Sequence, residues 1–380
     1  VTIPSDHFLK GPRRAQQRHD AAVRIVVQHP QGQELGGVSV YADNLVEALN
    51  AAGFNAIAIS SKLSTPLARI RAVYWSDIVH LSSHDLLMAT SARLLGKQIS
   101  LKYHWPFWLS AKRHYVPMSP HNRLVREVRY LWGSCNNGRN VYGLIRAYSR
   151  LTLRFVVRGL VPTLLACSEF TARSLDTRRS VIAVPNPFRF AAHAALAADV
   201  RMHGGFYFVG RLADDKGVDL IVKAAARLIA SGAVPFRVTI IGEGPEREKL
   251  EALAADLGVS DIFDFKGRLP HPAMLDELRR GLALIYPARW EDPAPYPPLE
   301  AASLNLLTIA ARVGGLPETS GPHALFFDPE DVDGLAECMK WVMEHPIETI
   351  ERGTEAGEWA RNRFDERHAV SALLAAILPT

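Results

Sequence analysis

The sequence predicts an α/β protein built from two doubly wound domains, and three observations carry that expectation. The 380 residues exceed the size at which one hydrophobic core keeps growing. Strand-like and helix-like periodicities alternate from Arg24 onward, the pattern of parallel sheets covered by helices. The alternation breaks at "VPNPF" (184 to 188), where two prolines flank an asparagine, and resumes at residue 204. The expected division is a basic leader over 1–22, a first domain over 23–188 and a second over 189–380, with the last helix returning to the first domain.

The elements follow in order. "RIVVQ" (24 to 28) reads as a buried strand, "VSVYADNLVEALNAAG" (38 to 53) as a helix ended by a glycine, and "NAIAIS" as the next strand. "QISLKYH" is strand-like and closes on His104, and residues 142 to 160 have a helical pattern. In the second half, "GGFYFVGRL", "VDLIVKAAARLIASG", "FRVTIIGEG", "EREKLEALAADLG", "IFDFKGRL", "HPAMLDELRRG", "LALIYPAR" and "PPLEAASLN" read as strand and helix in strict turn.

Composition bounds the class. With 48% hydrophobic and 22% charged residues the chain can fill two cores and is too apolar to be disordered. Cys135, Cys167 and Cys338 are odd in number and far apart, which fits neither a disulfide framework nor a zinc site and points to a reducing compartment. No apolar run approaches the length of about 18 residues that a membrane span needs; the longest, 155 to 167, is interrupted by Arg158. The leader carries Lys10, Arg13, Arg14 and Arg18 without an apolar stretch, so it does not read as a secretory signal. A cytoplasmic protein is expected.

The overall charge of +5 conceals a split: up to Phe188 there are 24 basic and 10 acidic residues, beyond it 20 and 29, giving +14 and -9. The first half asks for an anionic partner. Arg146, Arg150, Arg154 and Arg158 recur every four residues along one side of the 142–160 helix. Like charges so spaced cost a few tenths of a kcal/mol per pair, roughly, in an isolated helix. Either they form a solvated face that pairs with acids elsewhere, or they meet anionic lipid headgroups or a phosphorylated acceptor. Nucleic acid is not expected as a partner.

In open parallel sheets, ligands bind beyond the carboxyl ends of the strands, where loops enter helix N-termini that favour anions. "FVGRLADDKGVDLI" (208 to 221) supplies Arg211 and Lys216 on such a loop, able either to converge on a diphosphate or to lie in an ordinary surface turn. "GGVSVYADNL" (36 to 45) offers Gly36 and Gly37 for close backbone approach in the first domain, or an ordinary tight turn. Neither this nor "IGEGPE" (241 to 246) is the G-x-G-x-x-G dinucleotide fingerprint, which disfavours a nicotinamide enzyme. "ARWEDPAPYPPLEAAS" (288 to 303) is an acidic, proline-stiffened loop running into a helix that Pro297 and Pro298 can start, with Glu300 in its first turn. Asp292 and Glu300 there could grip a sugar and a ribose diol, or Glu300 could merely complement the helix dipole, which explains one carboxylate but not the proline scaffold.

Over 204–330 the segments "FVGRLADDKGVDLIVKAA", "VTIIGEGPEREKLEALAADLG", "FKGRL", "PLEAASLN" and "ARVGGLPE" stand in an order and spacing that resembles the retaining glycosyltransferases of family 4. The resemblance implies the GT-B fold, two Rossmann-like domains with a cleft between them. It implies a nucleotide-sugar donor as co-substrate, a UDP-sugar by family frequency, with no cofactor and no metal. Arg211 and Lys216 would then bind the diphosphate and act in catalysis, and Glu300 would bind the ribose hydroxyls. Gly36 and Gly37 would approach the phosphate, and Arg268 and Leu269 would lie at the base. Glu291, Asp292, Ala294 and Tyr296 would line the donor loop, and His104, which by sequence alone reads as a structural histidine at a strand end, resembles the histidine beside the transferred sugar. The family pattern is glutamate, seven residues, glutamate; here the first position is Asp292, with Glu291 one place out of register, so either carboxylate is open for that role. Pro295 replaces the usual glycine. The implied activity is sugar transfer to a lipid-linked or polysaccharide acceptor at the inner face of the cell membrane, in bacterial exopolysaccharide or envelope glycan synthesis. A small soluble acceptor, or a catalytically silent relative that binds glycan or a partner protein, are the alternatives.

Overall fold

The computed structural model describes residues 22–30, 37–104, 141–175, 179–190, 204–234 and 236–378, with backbone alone at 37, 141–148, 150 and 151. Residues 1–21, Gly36 and Cys135 lie outside the described residues, as do the side chains of Arg146 and Arg150.

Two six-stranded parallel sheets organise the chain. The first has the order β2-β1-β3-β4-β5-β6, formed by β1 (Arg24–His29), β2 (Asn55–Ser60), β3 (Ile78–Leu81), β4 (Gln98–Tyr103), β5 (Thr163–Ala166) and β6 (Val181–Ala183). Its strands are short apolar runs because both faces are covered. Along β1, Val26 points to one face and Ile25 and Val27 to the other. The Val26 face packs on α2 (Pro66–Trp75), α3 (Leu86–Leu94) and α4 (Val141–Leu160) through Val73, Met88 and Val157. The opposite face packs on α1 (Gly37–Ala51) through Tyr41, Leu45 and Leu49. Polar caps fix the helix entries: Thr65 accepts from the Ala68 amide, Asp85 from that of Met88, and Ser168 from that of Thr171 at the start of α5 (Glu169–Ser174).

The second sheet has the order β12-β11-β10-β7-β8-β9. Its strands are β7 (Phe206–Val209), β8 (Val238–Ile241), β9 (Phe263–Gly267), β10 (Ala283–Tyr286), β11 (Leu307–Ala311) and β12 (Leu325–Phe327). Read from β7 outward, this is the dinucleotide-fold order, and the direction of winding reverses between β7 and β10. One face packs on α6 (Val218–Ala230), α7 (Arg247–Asp256) and later α11 (Val332–Glu344). The other packs on α8 (His271–Leu278) and α9 (Pro297–Ser303). A short α10 (Leu316–Ser320) follows β11, and α12 (Pro346–Phe364) and α13 (Glu366–Ile377) complete the chain.

The last helix crosses back. Val370, Leu373 and Ile377 of α13 lie in the same cluster as Tyr41, Leu45 and Leu49, on the N-terminal sheet. The linker is tied at both ends: Lys102 Nζ donates to the Pro185 carbonyl at 3.2 Å, and the Phe188 amide to the Phe364 carbonyl at 3.0 Å. Arg189 then bridges Glu47 and Glu366 at 3.0 and 3.3 Å. Leu373→Ala should therefore destabilise the N-terminal domain by about 2–5 kcal/mol, the cost of a large-to-small change in a packed core. Urea unfolding followed by a probe on the N-terminal sheet measures this, although the residue lies at the other end of the chain.

Candidate active site

The reversal of winding brings together the loop after β7 and the loop after β10. Beyond Val209, the first loop passes Arg211 and closes in a 3-10 turn, Asp214–Lys216. Gly217 ends that turn at φ 65°, and a Cβ there would sit 2.2 Å from the Pro287 carbonyl oxygen, so only glycine lets the turn lie against the exit of β10. Lys216 is thereby delivered to the second loop. Its Nζ donates to Asp292 Oδ2 at 2.6 Å and to Tyr286 Oη at 3.1 Å, and Tyr286 Oη donates to the same Asp292 oxygen at 3.0 Å. Burial works against the Lys216 charge, but Tyr286 and Asp292 hold the amine well above the usual lysine range.

Arg211 and Lys216 approach one anion. Asp215 Oδ1 accepts from Arg211 at 3.1 Å, and its Oδ2 lies 4.0 Å from Lys216 Nζ. The Arg211 side chain is 63% exposed and that of Lys216 14%.

A buried arginine fixes both loops. Arg289 grips Asp219 bidentately at 2.6 and 2.9 Å, donates to Glu330 and reaches the Asp214 carbonyl at 3.1 Å. The amides of Arg289 and Trp290 both donate to the Asp215 carbonyl. Burial would raise the Asp219 pKa, but bonds from Arg289 and Lys223 hold it down at about 2. The far side of the acidic loop rests on the "VGG" turn, where the Gly315 amide donates to the Asp292 carbonyl at 2.8 Å. Gly314, at φ 60°, would place a Cβ 2.6 Å from the Glu291 carbonyl carbon.

Glu300 is buried in the first turn of α9, which Pro297 opens, and its amide donates to the Tyr296 carbonyl at 2.9 Å. Its Oε1 pairs with His271 Nε2 at 3.0 Å, and this bond raises the His271 pKa against a smaller effect of burial. Arg268 is exposed, while Leu269 packs half-buried against the Met274 cluster. Ala294 and Tyr296 are half-buried in the loop. Glu291 is buried, and the carboxylate on Lys216 is that of Asp292.

His104 and Tyr296 bring polar atoms from the two domains. His104 stacks edge-on against Tyr41 at 4.4 Å, and its Nε2 is buried with no hydrogen-bond partner among the described residues. Burial, then Lys102 and His80, push its pKa well below the ordinary value, so the ring is neutral. Tyr296 Oη is also buried, with no hydrogen-bond partner among the described residues, and lies within electrostatic range of Cys167 and Glu300. Below His104, Tyr41 Oη meets His80 Nε2 at 2.9 Å, and His80 Nδ1 meets Ser100 Oγ at 2.8 Å. Lys102 lies 4.4 Å over the Tyr41 ring, and burial lowers its pKa to about 7.

The arginine ridge differs from a uniform solvated face. Arg154 and Arg158 are both half-buried; Arg158 folds 4.8 Å over Phe155, and both lie in electrostatic range of His84 and Tyr103. The helix turns inward because Leu153, Val157 and Leu160 must reach the core, carrying the neighbouring arginines with them. Gly37 begins α1, and its surroundings are not described. Asp215, Tyr286, Arg289 and His271 take part without having been singled out from sequence. Only the flank position of Arg289 beside "WEDP" and the helix-opening position of His271 could have signalled them. No helix among the described residues is long and apolar enough to cross a membrane.

Residues 204–363 match the family model described as glycosyl transferases group 1. A 2-deoxystreptamine glucosyltransferase of Streptomyces kanamyceticus is 33% identical over 173 residues, 44% of this chain and 43% of that protein. A GDP-mannose-dependent alpha-(1-6)-phosphatidylinositol monomannoside mannosyltransferase of Mycolicibacterium smegmatis is 27% identical over 180 residues, 42% and 44% of the two chains. Both matches span under half of the relative's length. The structure of Anabaena Alr3699/HepE in complex with UDP superposes with a TM-score of 0.68 at 13% identity, over 93% of this chain and 98% of the other. That likeness shows the GT-B fold, two Rossmann-like domains.

Two outcomes follow from the buried charges. Arg289→Met removes a buried cation from Asp219, which keeps Lys223 at 2.7 Å, and from the partly exposed Glu330, and should cost about 3 kcal/mol, at the low end for a broken buried pair; urea unfolding measures it. Lys102 has a folded pKa of about 7, against 10.5 for an ordinary lysine. Between those values the unfolded chain binds the additional proton, so wild-type stability rises with pH, and the penalty is fully present below about 7. Lys102→Met should flatten this slope, its advantage over wild type shrinking as pH rises, in urea midpoints at about pH 6 and 9.5.

Proposed function

We propose that this chain is a retaining glycosyltransferase of family 4, moving a sugar from a nucleotide diphosphate donor, and the observation that carries the reading is the approach of Arg211 and Lys216 to the single carboxylate of Asp215. A donor diphosphate takes the place of that carboxylate: the guanidinium grips two oxygens and the ammonium acts as a point charge. As the glycosidic bond breaks, negative charge grows on the leaving diphosphate, where these two cations stabilise it. The acceptor attacks from the same face and passes its proton to the departing diphosphate, so the configuration is retained. No metal is required for this route.

The other groups orient the donor. Glu300 takes the ribose hydroxyls, and the Asp292 carboxylate takes the sugar beside Lys216. His104 is neutral, so it offers the sugar a hydrogen bond rather than a charge, and Tyr296 Oη supplies a second such group from the opposite domain. UDP is the favoured nucleotide, in keeping with the ligand of the Anabaena structure.

The acceptor is a lipid-linked or polysaccharide chain, met at the inner face of the membrane during exopolysaccharide or envelope glycan synthesis. The basic N-terminal half supports this, together with Phe155 and Val156, which stand exposed beside Arg154 and Arg158 on α4. The Mycolicibacterium relative is named for a phosphatidylinositol-based acceptor. A small soluble acceptor is the second reading, favoured by the Streptomyces relative named for 2-deoxystreptamine. The Lys216–Asp292 pair opposes a silent relative, because a binding module has no need of a buried cation at the leaving-group position.

Lys216→Ala should lower kcat/KM for slow hydrolysis of UDP-sugar by at least about tenfold while the fold stays intact, the loss of one charge-assisted contact in the transition state. Donor hydrolysis assays with circular dichroism check this, and near-normal turnover in the folded variant would overturn the assignment.

A further inference from the structure

A solvent-facing histidine holds the buried carboxylate at the donor end of the cleft. His271 opens α8, directly after the turn through Arg268, Leu269 and Pro270, and its side chain is 64% exposed. Its Nε2 lies 3.0 Å from Glu300 Oε1, and the Glu300 side chain is only 12% exposed. Among the described residues this is the one hydrogen bond of the Glu300 carboxylate.

The geometry is set by the core rather than by the pair itself. Met274, Leu275 and Leu278 of α8 share a packed cluster with Ala301 of α9 and with Leu304 just beyond it. The two helix starts therefore keep a fixed separation, and the ring meets the carboxylate without ordering a flexible segment. With Oε1 engaged by the ring, Oε2 remains as an acceptor for a ligand hydroxyl. An exposed histidine acting only as a rim ion pair would add at most about 1 kcal/mol of stability and would not distinguish one ligand hydroxyl from another.

We infer that His271 is a positioning residue that orients Glu300 toward the ribose diol of the donor, and so sets the preference for ribonucleotides over 2′-deoxyribonucleotides. This rests on the donor reading above. The loop after β9 then serves two parts of one nucleoside: Arg268 and Leu269 stand at the base, and His271, two residues further on, acts through Glu300 on the sugar.

The test is isothermal titration of wild type, His271→Ala and His271→Gln with UDP, GDP and ADP, followed by the 2′-deoxy form of whichever binds tightest. Wild type should favour the ribo form by roughly 10- to 100-fold, the worth of a hydrogen bond to a charged group. His271→Ala should shrink that ratio by at least about fivefold, and His271→Gln, which keeps a donor N–H, should restore most of it. If His271→Ala binds the nucleotide with the wild-type ratio, the inference is overturned and the donor reading stands. If none of the three diphosphates binds wild type, both fall together.

Discussion

The contact on which the rest of the site depends is the ion pair between Lys216 and Asp292. The two residues sit on loops that leave adjacent strands where the sheet reverses its winding, so neither loop can shift without breaking a bond of 2.6 Å. A buried ammonium without a partner would cost several kcal/mol or give up its proton. Asp292 and Tyr286 together prevent this, and the amine stays charged. Asp215 then completes a local balance of two cations and two carboxylates. In the proposed donor complex the diphosphate displaces Asp215, whose partner Arg211 is mostly exposed, and an exposed pair contributes about 0–1 kcal/mol. A diphosphate brings more charge than the single carboxylate it displaces.

The relation between the two domains is fixed by polar contacts as well as by apolar ones. Glu318, at the end of the "GGLPE" segment, accepts from the backbone amides of Glu169 and Phe170, where the first turn of α5 leaves its amides free. Arg189 bridges α1 to the start of α13, and Phe188 and Phe190 pack with Trp359 and Phe364. The returning helix α13 adds an apolar seam on the far side. With one contact at the cleft and another behind it, the face bearing His104 is held opposite the loop bearing Tyr296.

Both the alternation of strand and helix and the position of the crevice loops were legible in the sequence, because each depends on local periodicity and on glycine and proline at turns. Residues 297 to 303 form a helix opened by proline with Glu300 in its first turn, as the composition of that stretch requires. Which of Glu291 and Asp292 meets Lys216 was not legible, because that contact spans 76 positions. The Arg289 network was equally hidden, since Asp219 and Glu330 lie 70 and 41 positions away and a lone arginine beside "WEDP" is as readily a surface residue. The arginine ridge shows the reverse limit. A spacing of four places four side chains on one side of a helix, but it does not say how far the packing of Leu153 and Val157 turns that side inward.

The distribution of charge across the cleft argues for a leaving group bound on one side only. In the C-terminal domain Lys216 is kept cationic by neighbours placed around it. Across the cleft the opposite holds: burial holds His80 down at about 3 and lowers Lys102 to about 7, and His104 is neutral. A positive charge at His104 would compete for the diphosphate and would also oppose the cationic character that a sugar acquires as its glycosidic bond breaks. A neutral imidazole next to a phenol has neither effect. In the proposed reaction the N-terminal wall at His104 would hold the sugar through hydroxyl contacts, while the electrostatic work of bond cleavage would fall to Arg211 and Lys216 on the other side.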